Sequence, residues 1–173
     1  AAKHLATQAR EPVLHYEHRD IGYNYRLSNL LAAVGRAQLA QLDERVEARQ
    51  RINDRYARAF EDVAGLSMMP VAGYGTSNCW LTCVVVEQRL FGATSGDVIE
   101  QLSQQNIEAR PTWKPMHLQP VFRKAETVGG SVGEQLFRNG ICLPSGSALT
   151  PKQQERVVQA VLGTPSAAGR SRP

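Results

Sequence analysis

The chain has 173 residues, of which 42% are hydrophobic and 21% charged. That balance folds rather than staying disordered, and a domain of this length needs no disulfide or metal staple. The net charge of +4 is spread out: the densest charged stretch, Asp43 to Asp62, holds five Arg and six acidic residues. Such mixed charge is a solvated helix face and not a nucleic-acid footprint, so no nucleic-acid partner is expected.

Residues 1 to about 20 carry no clear period, and Ala1 stands where an initiator Met would, so the start reads as a cut or processed edge. Arg10-Glu11-Pro12 is a break, and His15 to Asp20 reads as a loop. His15 and His18 have nothing nearby to complete a metal site. A long helix follows, with Ser28 as its N-cap. Leu27, Leu30, Leu31, Val34, Leu39, Leu42, Val46, Ile52, Tyr56 and Phe60 recur at three- to five-residue steps, which predicts one helix of more than thirty residues. That length implies a kink or a bridge between domains, with Gly35 as the weak point and Gly65 as the stop.

A smaller α/β unit comes next. Trp80 to Glu87 reads as a buried strand. At seven residues its apolar run is far below the ~18 a membrane span needs, and no membrane association is expected. Cys79 and Cys83 would stand about 13 Å apart along that strand, too far to share one zinc. With Cys142 they make three cysteines, not an even disulfide framework, so reduced thiols and a cytoplasmic location are expected. Thr94-Ser95-Gly96-Asp97 is a capping box opening a helix through Val98, Ile99 and Leu102. Ile107 to Ala109 reads as a short strand, and Pro111, Pro115 and Pro120 stiffen the loop after it. Val132 to Arg138 is a helix stopped by Asn139-Gly140, and Ile141 to Leu143 a strand. Thr150-Pro151-Lys152-Gln153 is a second capping box, opening a last helix that Gly163 ends. Residues 164–173 read as a disordered tail. The alternation gives α/β with a small sheet.

Two segments are unusual for a pure scaffold. Gly22-Tyr23-Asn24-Tyr25-Arg26-Leu27-Ser28-Asn29 gathers aromatic, amide and guanidinium groups just ahead of a helix start, where free N–H groups favour anions. A plain capped entry with a surface Arg fits the same residues. Arg110-Pro111-Thr112-Trp113-Lys114-Pro115-Met116-His117 puts two cations, an indole and an imidazole on a stiff loop. An indole can stack on a base or sugar, and Lys can neutralise phosphate. A Trp that merely anchors the loop fits as well.

Together these segments carry a resemblance. Residues 22–33 are similar to the G-Y-N-Y-R-M-S-N-L-x-A-A run of the DegT/StrS-type sugar aminotransferases. Trp113-Lys114-Pro115-Met116-His117 resembles that family's W-K-P-[LM]-H loop, and Cys142-Leu143-Pro144-Ser145-Gly146 its C-L-P-S-G segment. The similarity spans about residues 1 to 163. It implies an α/β chain that is the C-terminal part of a type I aminotransferase fold: a long connecting helix and a small domain with a short, mostly antiparallel sheet. Residues 1–65 would be the end of the large domain with the connecting helix, and 66–163 the small domain.

The resemblance also implies pyridoxal phosphate as cofactor and a keto sugar on a nucleoside diphosphate as substrate, aminated from glutamate. Asn24 would reach the cofactor phosphate of a neighbouring subunit in a homodimer. Tyr23, Arg26, Trp113, Lys114 and His117 would bind substrate, although His117 alternatively only orders its loop. The family's Schiff-base lysine belongs to a half not present in these residues. Lys3 and Lys114 lack its surrounding motif, so no catalytic residue is assigned, and the chain alone is expected to be inactive. It would act with a separately made N-terminal half or be a fragment of a longer chain. The competing reading is a non-catalytic module that binds nucleotide sugars or assembles with a partner.

Overall fold

The computed structural model describes residues 1–165. By packing, these form two compact units, divided between Asp43 and Glu44.

In the first unit a short helix, α1 (Ala2–Leu5), leads into a tight turn at Gln8 and Ala9, both with positive φ. The Tyr23 and Tyr25 amides donate to the Leu5 and Ala6 carbonyls at 3.2 and 3.0 Å, and the Gln8 amide donates to the Tyr23 carbonyl at 3.2 Å. Gly22 is required by this close approach: a Cβ there would lie 2.6 Å from the Ala9 nitrogen and 2.7 Å from the Leu5 oxygen. Helix α2 (Asn29–Leu39) follows, and the Ser28 hydroxyl accepts from the Leu31 amide as its cap. None of its residues is buried. Leu30, Leu31, Val34 and Leu39 are all exposed.

The single long helix predicted from the apolar spacing is in fact two. The Ala40 amide still donates four residues back to the Arg36 carbonyl as the C-cap of α2, but the Gln41 amide donates only three back, to Gln38, and the chain resumes as α3 (Leu42–Phe60). Gly35 is not the weak point. It lies inside α2 with open space around it.

In the second unit a four-stranded antiparallel sheet is ordered β1 (Leu66–Met68), β2 (Thr82–Val86), β4 (Gly140–Leu143), β3 (Arg110–Pro111). Alternation along β2 buries Thr82, Val84 and Val86 and leaves Cys83 and Val85 half-buried on the other face. The buried face packs with Ile52, Tyr56 and Phe60 of α3, Val98 and Leu102 of α5 (Ser95–Gln104), and Val157 and Val161 of α7 (Pro151–Leu162). α3 supplies part of this core, and the second compact unit begins at Glu44. The short helix α4 (Gln88–Phe91) follows β2, and α6 (Ser131–Asn139) runs into β4.

Both capping boxes form: Thr94 with Asp97 opens α5, and Thr150 with Gln153 opens α7, with Pro151 in the first turn. Three expectations shift. Trp80 and Leu81 precede β2 rather than belonging to it, and Cys79, with φ +48, lies in the turn before the strand, so the 13 Å argument does not describe it. The short strand is Arg110–Pro111 rather than 107–109; as an edge strand it tolerates proline's missing N–H. Thr164, assigned to the tail by sequence, is buried and bonds the Ala160 carbonyl at 3.1 Å. Residues 166–173 of that tail lie outside the described residues. No helix among the described residues is long and apolar enough to cross a membrane.

Candidate functional site

A cleft of about 840 Å³ opens beside the β3–β4 edge of the sheet. Trp80 and Trp113 form one wall, Arg110 and Arg156 bring cations, and Cys142 and Ser145 contribute from β4 and its exit. The indoles stand 5.9 Å apart, centroid to centroid, and are tilted 35°. They contact each other too closely to sandwich a third ring. Both residues are largely exposed, at 60% and 63%, and the pair forms a platform instead.

Each wall is held from elsewhere in the same unit. Arg49 and Gln50 on α3 donate to the main-chain carbonyls of Trp80 (2.9 Å) and Ser77 (3.0 Å), which fixes the loop that carries the first indole. The second rides on Thr112, whose hydroxyl donates to the Leu136 carbonyl at 2.6 Å and whose amide donates to the Gly140 carbonyl at 3.0 Å. Ser145 is buried: its hydroxyl accepts from the Thr82 amide at 2.8 Å and donates to the Leu143 carbonyl at 2.7 Å. It turns the chain out of β4, and its one hydroxyl proton is already committed to the Leu143 carbonyl. Tyr56 donates to the Pro144 carbonyl at 3.1 Å, and burial raises its phenol well above the usual tyrosine range. Arg110 pairs with Glu108 at 3.1 Å, and Arg156 donates to the Gln105 carbonyl. Both guanidiniums therefore keep N–H groups for an anion.

The Trp113 to His117 loop divides its residues between two places. Trp113 lines the large cleft. Lys114 is exposed beside it. His117 lines a separate 310 Å³ pocket with Met116 and Phe122. Its Nε2 lies 3.0 Å from Glu134 Oε1, and its ring is packed against Gly130, where a Cβ would come within 2.8 Å. In the first unit Tyr23, Asn24 and Arg26 are exposed on one short segment. The Asn24 side-chain oxygen accepts from the Arg26 amide at 3.1 Å, which leaves its NH₂ as the outward donor. Tyr23 and Tyr25 meet edge to face at 6.2 Å. Among the described residues no three His, Cys, Asp or Glu side chains come together as a metal site would require.

Sequence reading missed Trp80, Arg156 and Glu134. Nothing local marks them: they reach the site through strand pairing and helix packing, from positions 33, 43 and 17 residues away from the loop residues they join.

The family model of the DegT/DnrJ/EryC1/StrS aminotransferases matches residues 2–162. The chain belongs to that family. EpsN of Bacillus subtilis, named as a pyridoxal phosphate-dependent aminotransferase, is 50% identical over 165 residues, which cover 93% of this chain and 42% of EpsN. The GDP-perosamine synthase of Caulobacter vibrioides is 32% identical over 158 residues, or 91% of this chain and 42% of that protein. The aminotransferase TlmJ of Streptoalloteichus hindustanus superposes with a TM-score of 0.84 at 22% identity, over 96% of this chain and 44% of TlmJ. The chain thus spans less than half the length of the family members it matches. Its fold is the C-terminal part of a type I aminotransferase, α/β with a small antiparallel sheet.

Proposed function

We propose that this chain is the substrate-gripping portion of a pyridoxal-phosphate-dependent aminotransferase that aminates a keto sugar carried on a nucleoside diphosphate, with glutamate as the amino donor. The observation that carries this reading is the cleft: an indole platform beside two guanidiniums in 840 Å³ suits a flat base next to a diphosphate. Trp113 offers its face to the base. Lys114, Arg110 and Arg156 offer cations to the diphosphate. His117, tied to Glu134, keeps the loop in place.

Pyridoxal phosphate supplies an electron sink for amino transfer when bound. The residues present fit the phosphate end of that group. The Asn24 NH₂ is a neutral donor whose carbonyl is already occupied, so the side chain is oriented before any phosphate arrives. Asn24 would serve the phosphate site of a neighbouring subunit in a homodimer, with Tyr23 and Arg26 beside it toward the sugar. The lysine that would carry the cofactor is assigned to residues beyond these 173, and on this reading these residues by themselves would not catalyse the transfer.

Tryptophan emission of the 173-residue chain, titrated with a nucleoside-diphosphate sugar, tests the reading. A saturable change that is lost in Trp113→Ala, competed by nucleoside diphosphate and untouched by glutamate, supports it. No change at millimolar sugar nucleotide overturns the placement of the substrate on this cleft.

A further inference from the structure

Cys83 on β2 and Cys142 on β4 are directly opposed in the sheet register, with their sulfurs 3.6 Å apart. The backbone shows which kind of pair this is. The Cys83 carbonyl accepts from the Met69 amide on the β1 side, and the Gly140 carbonyl accepts from the Thr112 amide on the β3 side. In an antiparallel ladder a residue's N–H and C=O face the same neighbour, and the facing direction repeats every second residue. Cys83 therefore turns its backbone to β1, and Cys142 turns its backbone to β3. Between β2 and β4 the two cysteines form a non-hydrogen-bonded pair, the arrangement that brings side chains closest, with Cα atoms about 4.5 Å apart. That spacing is at the short end of the range a disulfide spans.

Both thiols are half-buried on the sheet face away from the core, and Cys142 also lines the cleft. Burial pushes the Cys142 thiol up to about 12; Cys83 beside it adds to the rise and the Arg110 guanidinium opposes it. Cys142 thus rests as a neutral thiol, and no charge repulsion separates the two sulfurs. A zinc site would need about four ligands, and no third His, Cys, Asp or Glu joins the pair among the described residues.

We propose that Cys83 and Cys142 are a dithiol modification site, oxidised by a low-molecular-weight disulfide of the glutathione class to a cross-strand disulfide that ties β2 to β4 at the cleft. One cysteine, as its thiolate, attacks a sulfur of the small disulfide. A protein–small-molecule disulfide forms, and one small thiolate leaves and takes up a proton. The second cysteine gives its proton to solvent, attacks the protein sulfur of that mixed disulfide and expels the second small thiol. Two protein thiols lose two electrons in all, and one small disulfide becomes two thiols. Excess small thiol runs the same exchange backwards, so the modification is reversible. This inference stands independently of the substrate assigned to the cleft.

The test is to expose the fully reduced 173-residue chain to excess glutathione disulfide, alkylate what remains free and map the peptides by mass spectrometry. The expected product has lost two hydrogens, carries a Cys83–Cys142 cross-link, retains an alkylated Cys79 and returns to three free thiols on reduction. Cys79→Ser keeps the cross-link. Cys142→Ser loses it and accumulates a glutathione adduct on Cys83. The proposal is overturned if adducts persist without closing in the parent chain, if all three thiols stay free, or if Cys79 is one end of the bridge. It is equally overturned if Cys142→Ser forms an internal disulfide as fast as the parent.

Discussion

Helices α2 and α3 follow one another in the chain with two residues between them, yet they meet opposite fates. α3 places Ile52, Tyr56 and Phe60 in the core of the second unit, while α2 buries nothing. α2 is the more apolar by sequence: seven of its eleven residues are Leu, Val or Ala, five of them in the run 30–34. α3 is laced with charge and buries only its narrow stripe. Apolar content alone does not decide what a helix buries; what decides it is whether a complementary face is present. The second unit provides one to α3, and the first unit provides none to α2.

The comparison is broken most directly by truncating one leucine on each side of it. Leu102 is 0% exposed, and Leu102→Ala should cost about 2–5 kcal/mol in urea unfolding. Leu30 is 82% exposed, and Leu30→Ala should stay within about 0.5 kcal/mol. A large loss at Leu30 in dilute monomer would mean that α2 is covered from within. The uncovered stripe of α2 should also bring copies of the chain together at micromolar concentration. Since burying one leucine contributes roughly 1.5–3 kcal/mol, Leu30→Asp with Leu31→Asp should weaken that association at least about a hundredfold in sedimentation. A parent chain that sediments as a monomer contradicts this.

Gly22→Ala sharpens the contrast inside the first unit. The added methyl meets backbone atoms that cannot move aside, at a cost of about 1–3 kcal/mol. Hydrogen exchange at the Tyr23 and Tyr25 amides should speed up while the core of the second unit is unchanged. Loss of protection in both units would show that they do not unfold separately.

Tyr56 gives a pH-dependent test of the other side. Its folded pKa is raised above the ordinary value of 10.0 by burial. The folded state therefore holds its proton after the unfolded chain has begun to release it. The stability linked to that proton is complete below about pH 10 and drains away above it. Tyr56→Phe should remove this alkaline loss, and should cost about 1 kcal/mol at neutral pH for the bond to the Pro144 carbonyl. Equal alkaline slopes in parent and variant would refute the assignment. Thr94→Ala removes the capping box of α5 at a cost of about 0.5–2 kcal/mol, read as a shift in thermal midpoint.

What the sequence disclosed was local chemistry. Thr94 with Asp97, Thr150 with Pro151 and Gln153, and the Ser28 cap are each complete within four residues, so each was legible. The break at Ala40 and Gln41 was not, because neither residue is a helix breaker and the apolar spacing runs on through Leu39 and Leu42. Strand β3 was displaced by three residues because Pro111 reads as a terminator, whereas an edge strand accepts it. The motifs pointed to Trp113 and the loop around it. They could not disclose that Trp80 stands against Trp113, or that Glu134 holds His117, because those contacts depend on strand order and helix placement. The face-to-face cysteines are a matter of register, which two isolated strands do not reveal.

Arg49 and Gln50 grip the loop ahead of β2 by its main-chain oxygens and by none of its side chains. Every residue type carries such an oxygen. The rim of the cleft is thus mounted like an interchangeable jaw: a substitution at Trp80 can replace the indole with a smaller or a charged group while the loop keeps its seat on α3, whereas Ser77 and Asn78 stay, because their side-chain oxygens accept the Cys79 and Trp80 amides. Under the proposed function, selectivity for a new ligand would be acquired there by a single change at position 80, with no rebuilding of the frame beneath.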